Sequence, residues 1–164
     1  MRHRCTILTI SDRGSRGERE DLSGPALKAV LENHDAFTLV EEGIVSDEPR
    51  EIEQKLIEWC DRGDIALILT TGGTGFSPRD LAPEATTAVI ERPAPGFAEA
   101  MRAESLKITP HAMISRAVAG IRKSTLIINF PGSPKAAREC LEVVLPALPH
   151  ALDKLAGDPS DCGR

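Results

Sequence analysis

The sequence predicts an α/β fold with a mostly parallel sheet and helices on both faces. Short apolar runs of strand character alternate with helical patterns along the chain, and this alternation is typical of parallel sheets. Two late strand patterns are separated by only three residues, which predicts a hairpin. Aromatic residues make up 3% of the chain, so Leu, Ile, Val and Ala must fill the core, as is common in parallel sheets.

The predicted strands are short runs rich in apolar and β-branched residues. The run at 64–70 is apolar almost throughout, as expected of a central parallel strand. The others are at 5–10, 37–45, 118–121 and 125–130.

Helical spacing of apolar residues fills the intervals between the strands. Five helices are predicted, over residues 23–33, 49–60, 83–93, 96–106 and 134–148. The polar stretch that follows the first strand, up to Asp21, is interpreted as a mobile loop because of its glycine and charge content. The length of 164 residues suits one domain, assigned to residues 1–164 with a frayed tail over 157–164.

Composition excludes several classes of function. A net charge of −5 and a pI near 5.4 argue against a general nucleic-acid binder. The four cysteines form no C-x-x-C pair, and we expect reduced thiols with two or three of them buried. No apolar run approaches the ~20 residues of a membrane span, and residues 1–11 do not resemble a signal peptide. We therefore expect a cytoplasmic protein without a membrane partner.

Ligands of open α/β sheets bind outside the carboxyl ends of the strands, and a glycine-rich loop follows the third predicted strand. It comprises Thr71, Gly72, Gly73, Thr74 and Gly75. Exposed amides in such turns can hold phosphate oxygens. The alternative is a tight turn without a ligand, since the string matches neither the dinucleotide-binding nor the P-loop pattern.

Charged residues flank this loop. Arg79 and Asp80 follow it after three intervening residues, and they could serve a phosphate and Mg²⁺ respectively. Asp47 comes just after the second strand and could join Asp80 in a metal site beside a polyphosphate. The alternatives are helix-capping roles for both aspartates and a solvated charge for Arg79.

Three further segments are candidates because they lie at predicted loops. One is the turn Pro131, Gly132 and Ser133, which opens a helix carrying Lys135 in its first turn. A helix N-terminus is a ready anion site, although a rigid turn with an exposed lysine would look the same. The others are Ser11 with Asp12, and Ser115 with Arg116; the four histidines are interpreted as incidental.

Taken together, these segments resemble one family, the MogA-like molybdopterin adenylyltransferases of the MogA/MoaB group. The resemblance spans nearly the whole chain in the family's order. The block TTGGTG…RD…PEAT is specific to the molybdopterin-binding fold, and other matching stretches are LTISDRGSRG, DLSGPAL, IVSDE, PGFAEAMR and SRAVAGIRKSTLIINFPGSPKAARECLE.

The resemblance implies a three-layer α/β/α domain that assembles as a homotrimer. It implies transfer of AMP from Mg·ATP to the terminal phosphate of molybdopterin, with release of pyrophosphate and later hand-over to a molybdate-inserting protein. The family's two critical aspartates fall on Asp47 and Asp80, and its ligand loops fall on Thr71 to Gly75 and on the turn at 131–134. Ser77-Pro78 and Leu81-Ala82 depart from the family's pattern beside Asp80.

Three alternative functions are retained. The first is a MoaB-like protein that binds molybdopterin without adenylylating it. The second is an oligomeric scaffold domain, and the third is an unrelated phosphosugar or nucleotide hydrolase with the same α/β plan.

Overall fold

The computed structural model describes residues 2–163, and in it six strands form one sheet. The strands are β1 (His3–Ile10), β2 (Phe37–Val45), β3 (Leu67–Thr71), β4 (Arg92–Pro93), β5 (Ala119–Arg122) and β6 (Thr125–Phe130). Their spatial order is β2-β1-β3-β6-β5-β4. The first four in this order run parallel, whereas β5 is antiparallel to both β6 and β4. The predicted parallel sheet and late hairpin are therefore confirmed.

Helices cover both faces of this sheet. They are α1 (Asp12–Ser15), α2 (Ser23–Glu32), α3 (Pro49–Asp61), α4 (Ala82–Val89), α5 (Pro95–Leu106), α6 (Pro134–Val144) and α7 (Leu148–Leu155), with 3₁₀ turns at Pro110–Ile114 and Leu145–Ala147. One buried cluster joins the sheet to α2, α5, α6 and α7, and a second joins it to α3 and α4. The three-layer α/β/α prediction is confirmed.

Strand β6 shows why the sheet must be covered twice. Its six residues are all buried. Leu126 and Ile128 belong to the first cluster and Ile127 to the second, because successive side chains of a strand point to opposite faces. A strand that is apolar on both faces is stable only between two helical layers.

Two predicted helices end earlier than expected. The predicted helix over 83–93 extends to residues 92–93, but α4 ends at Val89 and Arg92–Pro93 pairs with β5. The residue before a proline favours extended backbone, and edge strands tolerate proline. The last helix is interrupted at Leu145–Ala147, because Pro146 has no N–H to continue the helical ladder.

The segment after β1 is more ordered than a plain loop. Ser11 caps the single turn α1, and its Oγ accepts a hydrogen bond from the amide of Gly14 at 3.0 Å. This stretch was predicted to be a mobile loop throughout, but residues 12–15 form a helical turn. A side-chain acceptor at the N-cap satisfies one of the free amides of the first turn and stabilises even a short helix.

The parallel strands place four loops at one edge of the sheet. These loops follow β1, β2, β3 and β6, and they contain the candidate residues at 11–12, 47, 71–80 and 131–135. All four cysteines are free thiols, with Cys5, Cys60 and Cys140 buried, as predicted. Within residues 2–163, no helix has the length and apolar character needed to cross a membrane.

Candidate functional site

The glycine-rich loop lies in the middle of this edge. The amide of Gly72 donates to the carbonyl of Phe130 at 3.1 Å, and the carbonyl of Gly73 accepts from the amide of Ala82 at 3.1 Å. These bonds fix both ends of the loop. Hydrogen bonds among residues 2–163 leave the amides at 73–75 without an acceptor, so they remain available to an anion.

The turn after β6 packs directly on this loop. The hydroxyl of Thr71 donates to the carbonyl of Pro131 at 2.8 Å, and a Cβ built on Gly132 would lie 3.3 Å from Cα of Gly72. Ser133 then caps α6, accepting from an amide of the first turn at 3.4 Å. The positive end of a helix therefore lies beside the glycine-rich loop, as an anion site requires.

Asp12 and Asp47 are joined by a reciprocal pair of hydrogen bonds. The amide of Asp12 donates to Oδ2 of Asp47 at 2.9 Å, and the amide of Asp47 donates to Oδ1 of Asp12 at 2.9 Å. Arg79 binds the same Asp12 carboxylate through Nε at 3.1 Å and a terminal nitrogen at 2.9 Å. The loops after β1, β2 and β3 are thus connected through one carboxylate.

Asp47 and Asp80 both lie against the glycine-rich loop. A Cβ built on Gly73 would lie 3.3 Å from Oδ1 of Asp47, and one built on Gly75 would lie 3.0 Å from Oδ2 of Asp80. The side chain of Asp80 also accepts from the amide of Ser77 at 2.9 Å. The structure therefore brings together the two aspartates and the loop that the sequence singled out.

The carboxylates of Asp47 and Asp12 have different electrostatic environments. Burial raises the pKa of Asp47, and the neighbouring charges of Asp12 and Asp80 raise it further, while the hydrogen bond from the Asp12 amide opposes the rise. Asp12 behaves in the opposite way, because its hydrogen bonds with Arg79 lower its pKa. Burial and the nearby carboxylates of Asp12 and Asp80 therefore disfavour the charged form of Asp47, and a bound cation would offset this.

Arg116 is hydrogen-bonded to the glycine-rich loop and paired with Glu84, so it is not a free cation. Its Nε donates to the carbonyl of Gly75 at 2.8 Å, and its terminal nitrogens donate to Glu84 at 2.7 and 3.0 Å and to the carbonyl of Asp80 at 2.5 Å. The hydrogen bond with Glu84 also raises the pKa of Arg116. The structure thus places Arg116 against the loop, with its charge already paired with Glu84.

A cleft of about 480 Å³ opens beside Gly72. It lies between the end of β1, the start of α2 and the turn at 132–134. The sequence prediction missed the α2 side of it, where Asp21 accepts from the Thr9 hydroxyl at 2.8 Å and from the amide of Gly24 at 3.1 Å. The only signal for this was an aspartate three residues before Gly24, at the helix start, which is a capping pattern.

A second cavity, of about 290 Å³, opens on the other side of the loop. It touches Thr74, Gly75 and Ser115, and it is otherwise lined mainly by apolar side chains of α5, α6 and the 3₁₀ turn at 110–114. Lys135 lies outside both cavities. Its side chain is three-quarters exposed, and Nζ is 3.9 Å from Glu139.

The residues that could hold a metal are carboxylates, and they are few. No cluster of three or more His, Cys, Asp or Glu side chains suited to a metal occurs within residues 2–163. Asp47 and Asp80 supply two carboxylates at one loop. Mg²⁺ needs no more than this from a protein, since it completes its shell with waters and substrate phosphates.

Parallel strands that end in a glycine-rich loop, a helix N-terminus and paired carboxylates define an α/β protein that binds phosphate-bearing ligands. A family model described as a probable molybdopterin binding domain matches residues 6–150. The chain belongs to this family, which confirms the resemblance found in the sequence.

Curated relatives align over most of this chain. It is 49% identical over 153 residues to the molybdopterin adenylyltransferase of Helicobacter pylori strain J99, covering 93% of this chain and 87% of that protein. It is 46% identical over 144 residues to the molybdopterin adenylyltransferase of Escherichia coli K12, covering 86% and 73%. Among solved structures, the molybdopterin biosynthesis enzyme MoaB from Thermus thermophilus is 51% identical with a TM-score of 0.90, covering 97% and 99%.

Proposed function

We propose that this chain is a molybdopterin adenylyltransferase, which transfers AMP from ATP to the terminal phosphate of molybdopterin and releases pyrophosphate. The observation that carries the proposal is the position of Asp47 and Asp80, whose carboxylates lie against one glycine-rich loop beside a cleft. The names of the H. pylori and E. coli relatives support the same activity and do not favour a protein that only binds molybdopterin.

The chemistry asks for positioning more than for proton transfer. A phosphate oxygen of molybdopterin attacks the α-phosphorus of ATP, a new P–O bond forms, and the bond to the leaving pyrophosphate breaks. The attacking oxygen is already anionic at neutral pH, so no strong general base is required. Catalysis then rests on alignment of the two phosphates and on neutralisation of charge.

The loop amides and the helix N-terminus supply part of this alignment. The amides at 73–75 are free to bind phosphate oxygens. The N-terminus of α6, whose cap Ser133 lines the cleft together with Gly72, adds a positive dipole. Gly132 and Ser133 line the cleft, and Gly132 lies directly against the backbone of Gly72. A polyphosphate that reached from this turn to the amides at 73–75 would be held by several neutral donors at once.

The donor set of Asp47 and Asp80 fits Mg²⁺, since two carboxylates beside a polyphosphate site are its usual protein ligands. When bound, Mg²⁺ offsets the negative charge of the phosphates. Asp47 is suited to this role because its surroundings already disfavour an unpaired negative charge. We include Mg²⁺ and ATP in the proposal on these grounds.

The cationic side chains near the site differ in whether they are already paired with a carboxylate. Arg79 is bound to Asp12, and Arg116 is bound to Glu84 and to the loop. Lys135 has one distant carboxylate neighbour. Of these three cations, Lys135 alone could turn to a phosphate without breaking a close ion pair, although it lies outside both cavities in the structure.

The proposal extends to assembly and location. We propose a cytoplasmic homotrimer that passes its product to a molybdate-inserting protein. Support for self-association comes from large apolar side chains exposed outside the cleft, with Phe76, Ile108 and Met113 all more than 60% exposed. Exposed apolar groups of this size commonly mark protein contacts.

The decisive experiment supplies the purified chain with molybdopterin, ATP and Mg²⁺. Pyrophosphate release and an adenylylated pterin, detected by mass spectrometry, are the expected result. Binding of molybdopterin without pyrophosphate release would instead identify a binding protein. Absence of both binding and turnover would reject this function altogether.

A further inference from the structure

We propose that Asp12 is a positioning residue, which fixes the orientation of the Asp47 carboxylate without binding substrate itself. The inference deepens the proposed function and rests on it. It begins from the reciprocal hydrogen bonds between the two residues, whose donors are backbone amides and whose acceptors are side chains. Such a pair holds both side chains, because either carboxylate can rotate only by releasing a partly buried amide.

The two carboxylate oxygens of Asp47 make different contacts. Oδ2 accepts from the amide of Asp12 at 2.9 Å. Oδ1 is the oxygen nearest the glycine-rich loop, 3.3 Å from where a Cβ on Gly73 would be. The Asp12 contact therefore anchors one oxygen and aims the other at the loop that is expected to hold the phosphates.

Asp12 itself has little capacity left for a ligand. Its Oδ1 accepts from the amide of Asp47 and from Arg79, and its Oδ2 accepts from the Nε of Arg79. A bidentate arginine pair of this kind is among the stronger hydrogen-bond arrangements in proteins. A phosphate would also be repelled by the Asp12 charge, so a supporting role fits this side chain better than substrate contact.

Arg79 extends the same network to the third loop. Arg79 precedes Asp80 in the chain and hydrogen-bonds to Asp12. Asp12, which contacts Asp47, is therefore also connected to the segment that carries Asp80. Asp12 thus sets the relative position of the loops after β2 and β3. Small displacements of aligned groups lower turnover more than they lower ground-state binding.

The test compares Asp12→Asn with Asp12→Ala. Both variants keep the Asp12 backbone amide that donates to Oδ2 of Asp47. Asparagine also keeps an oxygen that can accept from the Asp47 amide, whereas alanine leaves this amide without an acceptor and so releases the backbone that carries the Asp47 carboxylate. We expect kcat to fall about tenfold or more in Asp12→Ala and to stay within about threefold in Asp12→Asn. The affinities for ATP and molybdopterin, measured by calorimetry, are expected to change less than about threefold in both.

Asp64→Ala is the matched control. Asp64 also holds an arginine fork, accepting from Arg62 at 3.2 Å by both oxygens, and it accepts from Arg4 at 2.9 Å. It precedes β3 and so lies at the opposite edge of the sheet. Loss of this ion pair is expected to leave kcat unchanged. Circular dichroism and thermal melts establish that each variant is folded.

The outcomes separate the two levels of the proposal. An Asp12→Ala enzyme with unchanged kcat, or an Asp12→Asn enzyme as impaired as Asp12→Ala, would overturn the positioning role. Loss of substrate affinity without a change in kcat would make Asp12 a binding residue instead. A wild-type chain without adenylylation would reject the proposed function, and this is seen before any variant is made.

Discussion

Gly72 lies directly against the carbonyl oxygen of Ile10, so closely that a Cβ on Gly72 would clash with this oxygen. The residue also has a φ of 101°, which L side chains rarely adopt. The end of β1 and the start of the glycine-rich loop are therefore in contact only because this position has no side chain. The same contact brings Ser11 and Asp12 next to the loop.

Replacement of Gly72 by alanine is expected to lower the free energy of unfolding by about 3 kcal/mol, since it adds a backbone clash to a strained φ. Chemical denaturation measures the loss. Gly17→Ala is the control, because Gly17 has a φ of 71° with open space around it, and about 1 kcal/mol is expected there. Equal losses in the two variants would show that the Ile10 contact is unimportant.

Asp80→Asn is expected to lower turnover about a hundredfold while molybdopterin and ATP affinities stay within a few-fold. The amide oxygen can still accept from the Ser77 amide at 2.9 Å, so the loop keeps its shape, but the charge proposed to hold Mg²⁺ is gone. Pyrophosphate release and calorimetry give the two quantities separately. Full activity in this variant would remove Asp80 from the mechanism.

A buried amide connects the central strands with α4. Asn129, which is fully buried, donates to the hydroxyls of Thr70 and Thr86 at 2.9 Å each and accepts from the amide of Val118 at 3.2 Å. Asn129→Ala leaves these buried groups without a partner, and a loss of about 3 kcal/mol in unfolding free energy is expected. The exposed Asn33→Ala serves as control, and a loss under about 1 kcal/mol in Asn129→Ala would contradict the role of the network.

The Glu84–Arg116 ion pair predicts a pH-dependent contribution to stability. Its hydrogen bonds lower the pKa of Glu84 below the ordinary value of 4.5, so the contribution is present above that pH and is lost as pH falls through the folded-state pKa. We expect Glu84→Gln to be less stable than wild type by up to about 1 kcal/mol at neutral pH.

The measurement compares unfolding free energies of wild type and Glu84→Gln from about pH 7 down to about pH 3. The difference between them is expected to shrink as the medium becomes acidic. Exposed Glu99→Gln provides the baseline for loss of a surface charge. A difference that grows toward low pH would contradict the assignment.

Much of the architecture could be predicted from residue patterns. The central strand β3 and its neighbours are marked by apolar runs, and the alternation with helical patterns indicates parallel order. The deviations occur at proline. The helical spacing of apolar residues predicted a helix as far as residue 93, but α4 ends before Pro93. Pro146 interrupts the final predicted helix. In both cases, local backbone chemistry outweighed apolar periodicity.

The sequence predicts which residues belong to the candidate site, but it does not predict the contacts between them. Asp47, Asp80 and the glycine-rich loop could be selected because each follows a predicted strand. That Arg79 holds Asp12 and that Arg116 holds Glu84 could not, since partners 32 or more residues apart carry no local signal. The contribution of Asp21 to the cleft was missed because its local pattern is that of a helix cap, and its contact with Thr9 is made only in the folded structure.

The sequence by itself determined the class of fold, the family and the edge of the sheet at which the candidate residues lie, because these depend on periodicity and on short motifs. The tertiary structure decided which charges face one another. It placed Arg79 on Asp12 and Oδ1 of Asp47 against Gly73. The physical reason is that hydrogen bonds and ion pairs act over a few ångströms in space, and only the folded sheet brings the ends of β1, β2 and β3 within that range.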